Sequence, residues 1–111
     1  MHKRRKLLIE IIPGVHDLKE INSEVVELDA YSTTDLISKS LARSLGCKVT
    51  RKSGQMEWIE REPMSIYGNA QILIRLPPTP GKTDKKFIKV EMKVIESLKT
   101  KIRIKNPLRF Y

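Results

Sequence analysis

Apolar and polar residues alternate along most of this chain, and helical spacing is confined to one stretch. Lys6 to Ile12 is apolar apart from Glu10 and runs into Pro13-Gly14, which predicts a largely buried strand ending in a turn. Glu24 to Leu28 predicts a short second strand. Ser32-Thr33-Thr34-Asp35 has the form of a helix start, because a hydroxyl followed three residues later by a carboxylate can satisfy the free N–H groups of a first turn. Ile37, Leu41 and Leu45 then recur every four residues with Leu36 beside them, and Gly46 stands where a left-handed residue closes a last turn. A helix is expected over residues 34–45.

From Cys47 onward the pattern turns to β. Lys48 to Lys52 and Gln55 to Glu60 flank Ser53-Gly54, which predicts a hairpin. Glu62-Pro63 to Gly68-Asn69 reads as a connection that exposes Tyr67, with Gly54, Gly68 and Gly81 as turn glycines. Ala70 to Leu76, apolar on both faces, predicts a central strand, and Pro77 to Asp84 an exposed loop. Ile88, Val90, Met92 and Val94 alternate with Lys89, Glu91 and Lys93, so their β-branched content favours a strand over the helical spacing through Phe87, Val90, Val94 and Leu98. Lys101 to Lys105 alternates again and is expected to pair with that strand as a hairpin. The predicted fold class is α+β: a mainly antiparallel sheet of about six strands with one principal helix, residues 34–45, on one face.

Composition narrows the partners. The chain has 111 residues, 40% hydrophobic and 32% charged, with 22 Lys+Arg against 13 Asp+Glu for a net charge of +9. This length fits a single domain over residues 1–111, with a basic arm at 1–6 and a basic strand pair and tail at 86–111. Its hydrophobic content is too high for disorder, and its charge leaves no room for a membrane span. Met1 to Lys6 has the charge of a signal-peptide start, but Glu10 and Pro13 cut the apolar run, so no secretory leader is expected. A single Cys47 excludes an internal disulfide and fits a reducing, cytoplasmic setting.

The charge is unevenly placed. Residues 3–6 hold four cations and no acid, and residues 82–111 hold ten cations against three acids, giving +4 and +7. Residues 7–81 therefore carry −2. Such a distribution points to a polyanion, with nucleic acid ahead of an acidic protein, and no long basic amphipathic helix supports membrane binding. The competing explanation is a solvated surface in a protein from a hot environment, since Gln occurs only twice while Lys, Glu and Ile abound. That bias raises Lys and Glu together and so does not produce an imbalance of nine.

The candidate contacts follow from alternation. Lys101, Arg103 and Lys105 share one strand face opposite Ile102 and Ile104, and Lys89 and Lys93 do the same in the preceding strand. Lys3, Arg4, Arg5, Lys6 and Arg109 add cations at the two ends, and Tyr67 offers a ring. If strand 101–105 lies beside the N-terminal strand, Arg4, Arg5, Lys101, Arg103 and Lys105 form one patch. Trp58, on a face with Met56 and Glu60, is expected in the core, and Phe110-Tyr111 in a tail. The expected helix carries only Lys39 and Arg43, so major-groove docking fits poorly, and RNA or single-stranded DNA is preferred to duplex.

Catalysis has little support. Glu91-Met92-Lys93 with Asp84 matches half of a metal-dependent nuclease pattern, which arises readily by chance in a Lys/Glu-rich strand. His2, His16 and Cys47 lack ligand spacing, and no phosphate-binding glycine motif occurs, so neither metal nor cofactor is expected. The expected function is a non-catalytic nucleic-acid-binding protein. A protein-interaction subunit, or a homodimer formed by sheet-edge pairing, is the alternative. In size, charge and element pattern the chain resembles the small basic archaeal proteins that bind DNA or RNA, the Alba-like and ribosome-associated types among them. That resemblance is one of class and assigns no residue a role.

Overall fold

Alternation prevails over helical spacing almost everywhere. The structure, a computed structural model, describes residues 5–14, 21–29, 34–59, 62–75, 86–98 and 101–105. It contains β1 (Arg5–Ile12), β2 (Asn22–Asp29), β3 (Leu36–Ser38), α1 (Lys39–Leu45), β4 (Val49–Ile59), β5 (Glu62–Arg75), β6 (Ile88–Ile95) and β7 (Ile102–Lys105). The class is α+β as expected, but the sheet has seven strands among the described residues and is mixed. Its order is β1-β2-β7-β3-β6-β5-β4, with β2–β7 and β3–β6 parallel.

A further pairing of β1 with β5 closes six of the strands into a ring, leaving β4 attached to the remaining length of the same β5 edge. Glu10 stands opposite Arg75 at this closure, and the two form a bidentate ion pair of 3.0 and 3.1 Å. Closure shortens the unpaired edges that an open sheet exposes, and β4, last in the order, has no second partner strand among the described residues. The interior is filled by alternate residues of each strand: Ile9 and Ile11, Val26, Ile37, Ile72 and Ile74, Val90, Met92 and Val94, and Ile102 and Ile104. Leu41 and Ala42 of α1 pack onto this core. A smaller cluster, Leu36, Ile59, Met64, Ile66 and Ile95, lies outside it. No helix among the described residues is long and apolar enough to cross a membrane.

The helix is shorter than expected. Residues 36–38 form β3, because β6 and β7 supply ladder partners on both sides of them. The helix cap is Ser38, whose side chain accepts from the Leu41 N–H at 3.1 Å. Ser32 and Thr33 lie outside the described residues, and the Asp35 carboxylate accepts instead from the Lys105 backbone N–H at 2.9 Å. Gly46 closes α1 in the left-handed region, at φ 75°, as expected.

Two hairpin assignments also change. Val49–Ile59 is one strand with an irregularity between Arg51 and Gln55, so Ser53-Gly54 is not a turn between paired strands. Glu62 to Asn69, expected as a connection, is the first part of β5. Nor do β6 and β7 form a hairpin, since β3 lies between them. Gly68 is a close-approach glycine within a strand: a Cβ there would run into the Thr50 carbonyl oxygen and lie 2.8 Å from Val49 Cγ1. Gly68→Ala is therefore expected to cost roughly 1–3 kcal/mol in urea unfolding. Gly14→Ala, whose Cβ meets nothing within 4 Å, serves as the silent control.

Candidate functional site

The basic strand pair read from the sequence does not assemble, because β3 lies between β6 and β7, and the expected patch of β7 beside the N-terminal strand does not form either. β2 lies between β1 and β7, so Lys6, Glu27 and Arg103 form one row across three strands. Arg103 is only 5% exposed, flanked by Glu27 and Leu36, with its Nε 4.0 Å from Glu27 Oε2. It is a structural residue and not a surface phosphate contact. Lys101 is exposed and lies 3.9 Å from Glu24. Lys93 is held by both oxygens of Glu57 at 2.7 and 2.8 Å. Lys89 is exposed on β6, Lys105 is half-buried at the end of β7, and Lys6 is exposed on β1. Arg5 begins β1 and so belongs to the sheet rather than to an arm. Lys3, Arg4, Arg109, Asp84 and Phe110-Tyr111 lie outside the described residues.

A different basic cluster forms around Tyr67. Far from sitting in a loop, this residue is half-buried in β5 and packs against the main core. Lys39 Nζ lies 4.2 Å from the ring centroid, the Arg51 guanidinium carbon 4.4 Å and that of Arg43 5.7 Å. Arg43 also donates to the Tyr67 hydroxyl at 3.5 Å. Lys39 and Arg43 are four residues apart on α1 and therefore share a face, a like-charge spacing that costs an isolated helix a few tenths of a kcal/mol. Arg51 arrives from β4 opposite Gly68. Both strands are irregular here, β4 between Arg51 and Gln55 and β5 against β6 between Ile66 and Gly68, and such bulges re-aim side chains. Lys52, the next residue of β4, has its Nζ 3.2 Å from the Asn69 side-chain oxygen once that amide is oriented by its neighbours.

The cluster is short of anions. Glu96 lies 3.5 Å from Lys39 and accepts from the Ser65 hydroxyl at 3.1 Å. Among the described residues no carboxylate comes within ion-pair distance of Arg43 or Arg51. A ring face of this kind gives a cation about 0.5–1 kcal/mol at an exposed site, less than a bidentate anion gives a guanidinium, so incoming phosphate can take over both Arg. By contrast Arg75, over Phe87 at 4.4 Å, is already committed to Glu10.

Electrostatics at Tyr67 follow from its neighbours. The hydrogen bond from Arg43 holds the phenol below the ordinary tyrosine value, with the charges of Arg51, Arg43 and Lys39 acting in the same sense against some desolvation. A lowered folded value means that ionisation stabilises the fold at pH above the unfolded value, and that this stabilisation is lost as pH falls through the folded one. Ionised Tyr67 also places a negative charge inside the cation ring. Affinity for a polyanion is therefore expected to fall as rising pH passes the lowered value, a dependence that Tyr67→Phe removes. Phenolate absorbance on the same samples locates the transition. Cys47, half-buried, has its thiol pushed up by burial.

Segment charges concealed this site, because Lys39, Arg43 and Arg51 all belong to the stretch whose net charge is −2. The visible signals were the Lys39/Arg43 spacing on a helical face and Tyr67 itself. Trp58 was misplaced in the opposite direction: expected in the core, it is 76% exposed on β4, with Met56 at 63%. No known protein-family profile matches the chain, and no curated protein matches it.

Proposed function

We propose that this chain is a non-catalytic nucleic-acid-binding protein of a reducing, cytoplasmic setting that takes single-stranded or structured RNA or DNA in preference to duplex. The observation that carries the proposal is Tyr67 surrounded by Lys39, Arg43 and Arg51, with no carboxylate on either arginine among the described residues. An aromatic ring among cations is the combination that single-strand binders use to hold backbone and bases together. α1 spans only seven residues and turns Leu41 and Ala42 into the core, which leaves little to enter a major groove. Lys89, Lys101 and the basic ends add non-specific attraction that salt screens.

Filter binding at low salt tests the proposal with an oligouridylate, an oligothymidylate and a duplex of equal length. Tighter retention of the single strands is expected. No affinity for any of the three, or a clear preference for duplex, would overturn it. The homodimer reading keeps one specific observation in its favour: Leu8 and Val25 stand directly opposite each other on β1 and β2 and are 56% and 52% exposed. Light scattering on Leu8→Lys decides that reading, which requires a dimer that the substitution dissociates.

A further inference from the structure

The cation ring does not stand alone on its face of the β4–β5 ribbon. Pro63, Ser65 and Tyr67 occupy alternate positions of β5 leading up to its register shift, and Met64 and Ile66 between them are buried in the smaller cluster, so these three side chains share the opposite face. Met56 stands directly opposite Ser65 and Trp58 directly opposite Pro63, and residues so paired lie on the same face of an antiparallel ladder. Contacts join Ser65 to the Tyr67 end of the strip: Ser65 reaches Glu96, Glu96 reaches Lys39, and Lys39 lies over Tyr67. Along β5 the four residue steps from Tyr67 to Pro63 span roughly 13 Å at about 3.3 Å per step.

The strip is therefore cationic at the Tyr67 end and carries a largely exposed indole at the other. At 76% exposure on a strand with an open edge, Trp58 leaves most of its ring accessible to a flat partner. We infer that Trp58 is a base-stacking station of the same binding surface, so that an extended single strand lies along β4–β5 with one phosphate against Arg43, a second against Arg51, and a base on Trp58. The inference rests on the proposed function and adds to it a footprint, an orientation axis and a second ring. A single-stranded nucleic acid suits this strip better than a second copy of the chain does, because a second copy brings another +9 and so adds repulsion, whereas a single strand supplies phosphates at one end and flat π-faces at the other.

Trp58 is the sole tryptophan, so intrinsic fluorescence reports on this ring directly. Titration of the full chain with an unlabelled oligouridylate is expected to quench that fluorescence to saturation. Trp58→Ala is expected to weaken filter binding roughly 5- to 100-fold, the range for losing one stacked base, while leaving the salt slope unchanged. Trp58→Phe should recover most of the affinity. Binding with unchanged fluorescence and undiminished affinity of Trp58→Ala would overturn the stacking station while leaving the cation ring intact. Failure of the oligonucleotide to bind at all would remove both. A mass that falls to the monomer on Trp58→Ala, with no effect on oligonucleotide binding, would assign the strip to self-association and overturn the inference.

Discussion

Replacing Arg103 by alanine is expected to destabilise the protein by about 3–5 kcal/mol while leaving the salt dependence of nucleic-acid binding unchanged, because it breaks a buried ion pair rather than a phosphate contact. Arg103 lies outside the ring of Ile102 and Ile104 yet is 5% exposed, and its side chain meets Glu27, which the parallel β2–β7 register places directly beside it. Removing the guanidinium leaves the Glu27 carboxylate with little access to water, its side chain only 15% exposed. Replacing both residues by apolar ones of similar volume, Glu27→Leu with Arg103→Met, is expected to recover most of the loss, since paired buried charges add little over a well-packed apolar pair. A surface contact would behave otherwise, with less than about 0.5 kcal/mol of stability at stake. Urea midpoints of the two variants, set beside that of the natural chain, separate the two cases.

The cation ring should show the reverse behaviour. Arg43→Ala with Arg51→Ala is expected to lower affinity for oligouridylate about tenfold per guanidinium at low salt, in keeping with charge-assisted contacts of ~1.5–3 kcal/mol. Stability should hold or rise slightly, because the substitutions relieve repulsion among Lys39, Arg43 and Arg51 around one ring. Arginine-to-lysine exchange at both positions is expected to restore only part of the affinity, since lysine keeps the charge but loses the planar fork that grips a phosphate and stacks on Tyr67. A loss of binding accompanied by an equal loss of stability would instead mark the two arginines as structural.

Particular residues show how far the sequence could be read. Alternation located β6 and β7 because their inward residues, Val90, Met92 and Val94, then Ile102 and Ile104, serve one interior. It was silent on which strands are neighbours. The pairings of β7 with β2 and β3 join residues distant in sequence, and the insertion of the three-residue β3 separates the two strands that looked like a hairpin. Ile37, Leu41 and Leu45 do face the core, yet Ile37 reaches it from a strand and Leu41 from a helix, so an apparent four-residue repeat spans two elements. Alternation likewise placed Arg103 outside the apolar interior without showing that Glu27 and Leu36 enclose it. The Tyr67 ring was legible only in pieces, because α1, β4 and β5 each contribute charge or ring and only the tertiary arrangement brings these together.

The salt dependence of oligouridylate binding, measured side by side for the natural chain and for Arg43→Ala/Arg51→Ala, tests the central claim most directly. A single strand loses about 0.7 in log–log slope for each phosphate contact removed. The double variant is therefore expected to show weaker binding and a slope shallower by about 1.4, with its urea midpoint preserved. An unchanged slope and affinity in that variant would contradict the account and return the binding charge to Lys89, Lys101 and the basic ends of the chain.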